Sequence, residues 1–483
     1  MKTINTLLLI MALPFGVLAQ DVAAPKEVKK EKKVLSGIQA ELLRGPYLQM
    51  ASPTSITLRW RTNVYDRSRV RYGESPEKLQ YETIDSTLVS EHIVKLKNLK
   101  PMTKYYYTIG NHTDTTLQGD NENYFYTFPQ TGSEQLIRIA GFGDCGNNSA
   151  NQRNVRDQVI KYLGNNYLNA WILMGDNAYS DGTDAEFQAK FFNIYKDNLL
   201  KKYPLYPVPG NHDYHDFDSS TATDENKMAY YQNFSVPTQA EAGGVPSNTE
   251  SYYSYDIGNV HFLALDSYGP DNKGQHIYDE MGEQAEWVKK DLKANSNKQW
   301  TVAYFHHPPY TKGSHDSDTE SLLVKIRENF IKILEENGVD LVLCGHSHVY
   351  ERSKLIKGYF GKEADYDAKK YEISSSTALY DGSKNSMPYL KSSSDKKGTV
   401  YVVSGSAGAL GGNKATYPHD AMYYSNNKVG GAVMLEVQGN KLDLKWIASD
   451  GAIYDHFTMM KDVKKSDLEI LKADKILGKS SSK

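Results

Sequence analysis

Cysteine is nearly absent: Cys145 and Cys344 are the only two in 483 residues. A disulfide framework is thereby excluded, and the fold must rest on its apolar core. Each cysteine adjoins a motif described below, so one bridge near that region and two buried free thiols both stay open. An excess of one charge is lacking too. Lys and Arg total 56 against 59 Asp and Glu, for a net charge of −3. That balance gives no electrostatic footprint for nucleic acid. After the first twenty residues no apolar run is long enough to span a bilayer.

The start of the chain has its own character. Met1 to Gln20 carries Lys2, an apolar stretch from Leu7 to Phe15, and Val17-Leu18-Ala19. This reads as a secretory leader (residues 1–19) cleaved after Ala19, with export to the periplasm or the extracellular space. The stretch is short for a membrane-spanning anchor, and no cysteine follows it to take a lipid. Residues 20–40 are a charged linker without apolar periodicity.

At this length the chain exceeds a single core. Residues 41–131 show the alternation of short strands, as in Ser55 to Arg61, Arg69 to Tyr72, His92 to Leu96, Tyr105 to Ile109 and Tyr124 to Phe128. Regular spacing with turn residues between predicts a β-sandwich. Trp60 and the stretch Leu99 to Tyr105 resemble a fibronectin type III module. No cluster of chemical groups lies here, so this part is expected to act as a spacer or a wall of the site.

Residues 132–460 change to α/β. Strands are predicted at Ile137 to Phe142, Ala170 to Met174, Leu205 to Val208, Trp300 to Phe305 and Leu341 to Cys344. A hairpin joins Tyr252 to Asp256 with Val260 to Leu265 across Gly258-Asn259. Helices are predicted at Asn151 to Leu163, Asp184 to Leu199, Gln284 to Leu292 and Ser321 to Asn337. Further strands at Val400 to Ser404, Ala432 to Val437 and Leu442 to Ile447 close the unit. The order implies two sheets flanked by helices, an αββα arrangement. Long polar insertions fill 214–250 and 355–397, and a Lys-rich tail occupies 461–483.

Five of these segments end alike. They are Gly143-Asp144-Cys145-Gly146, Gly175-Asp176-Asn177-Ala178-Tyr179, Gly210-Asn211-His212-Asp213, Phe305-His306-His307-Pro308 and Gly345-His346-Ser347-His348. Any one could be a turn or a buried histidine. Together they put oxygen and imidazole donors at the C-terminal ends of strands, where α/β sheets bind ligands, and predict a shared metal centre.

This set resembles the calcineurin-like metallophosphoesterases. Tyr179 and the run Gly345 to Arg352 look like the purple acid phosphatases in particular. The likeness extends to Arg44-Gly45-Pro46-Tyr47-Leu48-Gln49 and Phe125 to Pro129, and to Ser449 through Asp455. It implies two metal ions. Asp144, Asp176, Tyr179 and His348 would hold the first, and Asp176, Asn211, His306 and His346 the second, with Asp176 bridging. Carboxylate and phenolate suit Fe(III) at the Tyr179 site, and Zn, Fe or Mn suits the second. His306 is the expected ligand of its pair, and His307 would face the cleft or lie behind the ligands. His212 would stabilise the phosphate and leaving group, and His315 matches a family histidine with a similar role. His215 is expected to be a surface residue of the insertion.

The implied activity is hydrolysis of a small phosphate ester, a monoester, by attack of a metal-bound hydroxide. A phosphodiesterase or nucleotidase on the same centre is the alternative. A non-enzymatic relict would have lost ligands, and here every family position carries a suitable residue. No nucleic-acid module or membrane anchor is expected.

Overall fold

The computed structural model describes residues 39–111, 116–215, 228–395, 397–464 and 466–469. The leader, nearly all of the linker and most of the tail lie outside the described residues.

The first six strands are β1 (Leu42–Gln49), β2 (Ile56–Gly73), β3 (Tyr81–Leu96), β4 (Lys104–Gly110), β5 (Thr116–Gln118) and β6 (Tyr124–Tyr126). They run in the order β1-β2-β4-β5, with β3 on β2 and β6 on β4, as a β-sandwich. Leu58, Trp60, Val70, Tyr107, Ile109 and Phe125 are buried between its layers. The strands differ from the sequence expectation in length. Ile56 to Arg61 and Arg69 to Tyr72 are not separate but belong to the 18-residue β2, whose pairing with β3 slips between Arg61 and Ser68. Polar side chains interrupt the alternation there because they turn inward onto His92. Thr62 Oγ1 lies 2.8 Å from its Nε2 and Ser68 Oγ 2.9 Å from its Nδ1, while Trp60 stacks on the ring.

The next strands carry the site. These are β7 (Ile137–Phe142), β8 (Ala170–Met174), β9 (Leu205–Val208), β10 (Tyr253–Ile257), β11 (Val260–Ala264), β12 (Trp300–Phe305), β13 (Leu341–Cys344) and β14 (Tyr350–Ser353). Completing the unit are β15 (Tyr389–Lys391), β16 (Val400–Ser404), β17 (Met422–Asn426), β18 (Gly431–Gln438), β19 (Lys441–Ala448) and β20 (Ile453–Lys461). Two seven-stranded sheets result, in the orders β10-β11-β12-β13-β16-β14-β17 and β15-β20-β19-β18-β7-β8-β9. The first sheet has a parallel centre, β11-β12-β13-β16, and the second a parallel run at one end, β7-β8-β9. Their C-terminal ends open on one edge.

Between the sheets lie aliphatic side chains and a share of the 36 tyrosines. Tyr206 of one sheet stacks on Tyr255 of the other at 3.9 Å. Helices cover the outer faces. Ala150–Leu163 begins where Ser149 Oγ accepts the Gln152 amide, and it buries Val155, Val159 and Leu163 at four-residue spacing. Residues 184–200 and 321–336 are helical as expected, with π-helical turns within them. Cys145 and Cys344 are both free and buried. Among the described residues no helix is long and apolar enough to cross a membrane.

The sandwich is bound into the rest of the chain. Arg44 of β1 is buried; its Nε donates to Gln188 Oε1 at 2.7 Å and its Nη1 lies 2.9 Å from Asp184 Oδ1. Arg61 of β2 donates to the same carboxylate at 3.0 Å. Tyr47 and Tyr107 donate to the carbonyls of Asn233 and Lys201, each at 2.7 Å. In return Tyr206 donates to the Ala51 carbonyl. The last strand is held as firmly: Lys461, expected in the tail, ends β20 with its Nζ 2.7 Å from buried Asp340.

Candidate active site

Asp144 follows β7, Asp176 and Tyr179 follow β8, Asn211 follows β9, His306 follows β12, and His346 and His348 follow β13. Asp144, Asp176 and His346 stand on left-handed backbone, at φ 57°, 53° and 66°. For a residue with a Cβ this conformation costs roughly 1–3 kcal/mol and persists where the surroundings enforce it. The strand thus turns through the functional residue itself. Two glycines admit the close packing this needs. A Cβ on Gly175 (φ 85°) would lie 2.5 Å from His306 Nδ1, and one on Gly345 would lie 2.5 Å from Asp144 Oδ2.

The side chains converge in two groups that share one oxygen. Tyr179 Oη lies 3.0 Å from Asp144 Oδ1, 3.0 Å from Asp176 Oδ2 and 3.1 Å from His348 Nε2. Asp176 Oδ2 is also 3.3 Å from His306 Nε2, which in turn lies 3.2 Å from Asn211 Oδ1 and 3.2 Å from His346 Nδ1. His306 donates Nδ1–H to the Met174 carbonyl at 2.8 Å, so its Nε2 is free to act as a donor atom toward a cation.

The charges ask for one. Asp144 and Asp176 are buried, and among the described residues their ion-pair partners are histidines rather than Lys or Arg. Burial opposes a charge on His306, yet Asp176 and Asp144 raise it to about 9. His346, buried and facing His306, falls to about 4. Burial and both carboxylates raise the Tyr179 phenol well above its usual range. Hard anionic oxygens crowded around a site with too little positive charge suit metal cations.

His307 takes another position. Its Nδ1 is 2.8 Å from Ser267 Oγ and its ring stacks over Tyr268. It stays close to the centre, and a nitrogen from each of His306, His307 and His346 fits within 4.8 Å. His212 lies at the mouth, its Nδ1 2.6 Å from the Ser180 carbonyl and its Nε2 3.9 Å from Asp176 Oδ2. His215, expected on the surface, is exposed but also directs Nδ1 at the Ser180 carbonyl, at 3.0 Å. On the opposite side His315 lies against His346, with ring centres 3.8 Å apart.

Several contributing residues escaped the sequence reading. Glu320 grips His315 Nδ1 with both oxygens, at 2.9 and 3.0 Å, and lies 3.6 Å from His346 Nε2. Asp213 accepts the amides of Asn177 and Gly210, binding the Asp176 loop to the Asn211 loop. Its burial, with the Asp176 charge nearby, pushes its pKa up to about 8. A glutamate at a helix start and an aspartate within a turn are common, so neither carried a signal.

Known proteins resemble this chain in sequence and fold. Residues 137–350 match the calcineurin-like phosphoesterase family, and residues 44–128 match the purple acid phosphatase N-terminal domain. These two stretches are thus similar to the calcineurin-like phosphoesterases and to the N-terminal part of the purple acid phosphatases. Purple acid phosphatase 15 of Arabidopsis thaliana is 29% identical over 366 residues, covering 67% of this chain and 62% of its own length. Purple acid phosphatase 21 of the same plant is 30% identical over 310 residues, covering 62% of each chain. The chain thus spans less than two thirds of the length of these relatives. The purple acid phosphatase PPD1 from yellow lupin (Lupinus luteus) seeds has the same fold at a TM-score of 0.68 and 19% identity. That match covers 89% of this chain and 75% of the lupin protein.

Proposed function

We propose that the protein is an exported dinuclear metal phosphatase that hydrolyses phosphate monoesters. Asp144, Asp176, Tyr179 and His348 would hold one cation, and Asp176, Asn211, His306 and His346 the other. The observation that carries the reading is Asp176 Oδ2, which faces both Tyr179 Oη and His306 Nε2. Phenolate and carboxylate favour Fe(III) on the Tyr179 side; Asn and imidazoles favour Zn, Fe or Mn on the other. When bound, such a pair of cations polarises phosphate oxygens and acidifies a water.

The chain's own groups supply the rest. His212 keeps its Nδ1 proton on the Ser180 carbonyl, so Nε2 is the atom that carries a proton to the leaving oxygen. His315, with Nδ1 fixed by Glu320, presents Nε2 from the other side. These imidazoles, with His215 beyond His212, surround the mouth with donors, which suits the three free oxygens of a monoester. Export rests on the leader at Met1 to Gln20.

The test is metal content together with turnover of p-nitrophenyl phosphate and bis(p-nitrophenyl) phosphate. Two equivalents of metal and faster turnover of the monoester are expected. Preference for the bis-ester would move the assignment to a phosphodiesterase. Absence of both activities in the metal-loaded protein would overturn it.

A further inference from the structure

The turn that carries Tyr179 into the site is gripped from behind. Glu186 accepts three amides that precede its own helix: Ser180 at 2.6 Å, Asp181 at 3.0 Å and Thr183 at 3.3 Å. Lys190, one helical turn later, donates to Glu186 Oε1 at 2.9 Å and also to the Tyr179 carbonyl. A capping box at Thr183 accounts for the Thr183 amide alone. It explains neither the shorter bond to Ser180 nor the reach of Lys190 to Tyr179.

The two ends of this short turn face the site. Tyr179 sends its phenol to Asp144, Asp176 and His348. Ser180 sends its carbonyl to His212 Nδ1 and His215 Nδ1. The Tyr179 and His212 rings lie 4.5 Å apart. One rigid turn therefore determines both where the phenol stands and which way the His212 imidazole points. Its anchor is fixed in turn by the sandwich, because Arg44 and Arg61 hold Asp184 in the same helical turn as Glu186.

We propose that Glu186 and Lys190 are positioning residues: a clamp on the Tyr179–Ser180 turn that sets the Tyr179 phenol and the His212 imidazole relative to each other. The inference rests on the reading of the site as a phosphatase. Neither side chain touches substrate; both act through main-chain atoms of the turn, as supporting groups do around many metal sites.

The experiment uses the full chain carrying Glu186→Gln, Lys190→Met or Lys190→Arg. In the metal-loaded protein Glu186→Gln is expected to lower kcat on an alkyl phosphate by roughly 10- to 100-fold, with KM and metal content nearly unchanged. Lys190→Met should lose activity in the same way, and Lys190→Arg should recover most of it. In the metal-free protein the Ser180 and Asp181 amides should exchange faster with solvent in Glu186→Gln. Combined with His212→Ala, Glu186→Gln should cost less than it does in the wild type, since the part of its effect that passes through the imidazole is then already lost.

Full kcat in both Glu186→Gln and Lys190→Met, unchanged exchange at Ser180 and Asp181, or losses that simply multiply with His212→Ala would overturn the clamp. If Glu186→Gln does not fold, Lys190→Met carries the kinetic and exchange measurements. Wild-type protein that turns over no phosphate ester would refute the phosphatase reading, while the exchange measurement would still decide whether the clamp exists.

Discussion

His306 Nε2 stands 3.2 Å from His346 Nδ1. Two ring nitrogens facing each other across a buried gap make sense when one of them takes a proton or when a cation lies between them. His306 also touches Asp176 and Asn211, whereas His307 turns to Ser267. His306→Ala is therefore expected to lose close to one equivalent of metal and nearly all activity. His307→Ala should keep its metal. Elemental analysis of the two purified variants decides between them, and metal loss confined to His307→Ala would reverse the assignment.

Tyr179 Oη lies between two carboxylates and an imidazole, and as a free phenol its pKa is raised. A trivalent cation would reverse that preference and bind the phenolate. Iron-loaded wild type should show a visible charge-transfer band, and Tyr179→Phe should lose it. Tyr167→Phe, in the connection before β8 and hydrogen-bonded to the Lys202 carbonyl, should retain it. A colourless, fully active dizinc or dimanganese protein would sink the iron assignment.

His212→Ala should keep both metals and lose turnover, by about 10²–10⁴ on alkyl phosphates and far less on p-nitrophenyl phosphate. The difference follows from the basicity of the leaving oxygen, which needs the Nε2 proton most when it is a poor leaving group. A plot of rate against leaving-group pKa is the measurement. Equal losses across the series would remove His212 from the proton-transfer role.

A pH effect on stability is expected far from the metals, at His261. This ring is fully buried, with Nδ1 2.9 Å from Asp256 and Nε2 2.6 Å from Asp291. Ser254 donates to Asp291, and Lys298 pairs with Asp256. Burial opposes the charge, but the hydrogen bonds and charges of both carboxylates outweigh it and raise the pKa above 6.5. A raised folded value gives a stabilisation that is complete below the unfolded pKa and fades as pH climbs through the folded one. In urea titrations the stability of wild type relative to His261→Gln should thus decline as pH climbs above about 6.5. A difference that stays constant over that range would show that the ring is not charged in the folded state.

How much of this was legible in the sequence depended on where each residue sits. Strands such as β8 are buried on both faces, so Ala170 to Met174 is an unbroken apolar run, and the residue after its glycine stands out. That made Asp144, Asp176, Asn211 and His346 stand out as candidates, with His306 directly after its strand and His348 two residues beyond His346. β2 was not readable as one strand, because Asp66 and Ser68 break its alternation by turning into the core. β15 has three residues, and β17 is half-buried along most of its length, so neither leaves a pattern. Glu320 and Asp213 act on ring nitrogens and main-chain amides of other loops, while Glu186 and Lys190 reach past their own capping box and i,i+4 pair to the main chain of the Tyr179–Ser180 turn, contacts for which no spacing rule exists. The left-handed backbone at Asp144, Asp176 and His346 is likewise a product of tertiary packing.

The contacts between the sandwich and the sheets bear on how the chain can be cut. A fragment beginning at residue 132 would leave Asp184 without Arg44 and Arg61, Tyr206 Oη without the Ala51 carbonyl, and Ser235 N without Gln49. It would also bare the surface that Tyr47 and Tyr107 cover. The phosphoesterase half is therefore no portable cassette, and the described chain is expected to melt in a single cooperative transition.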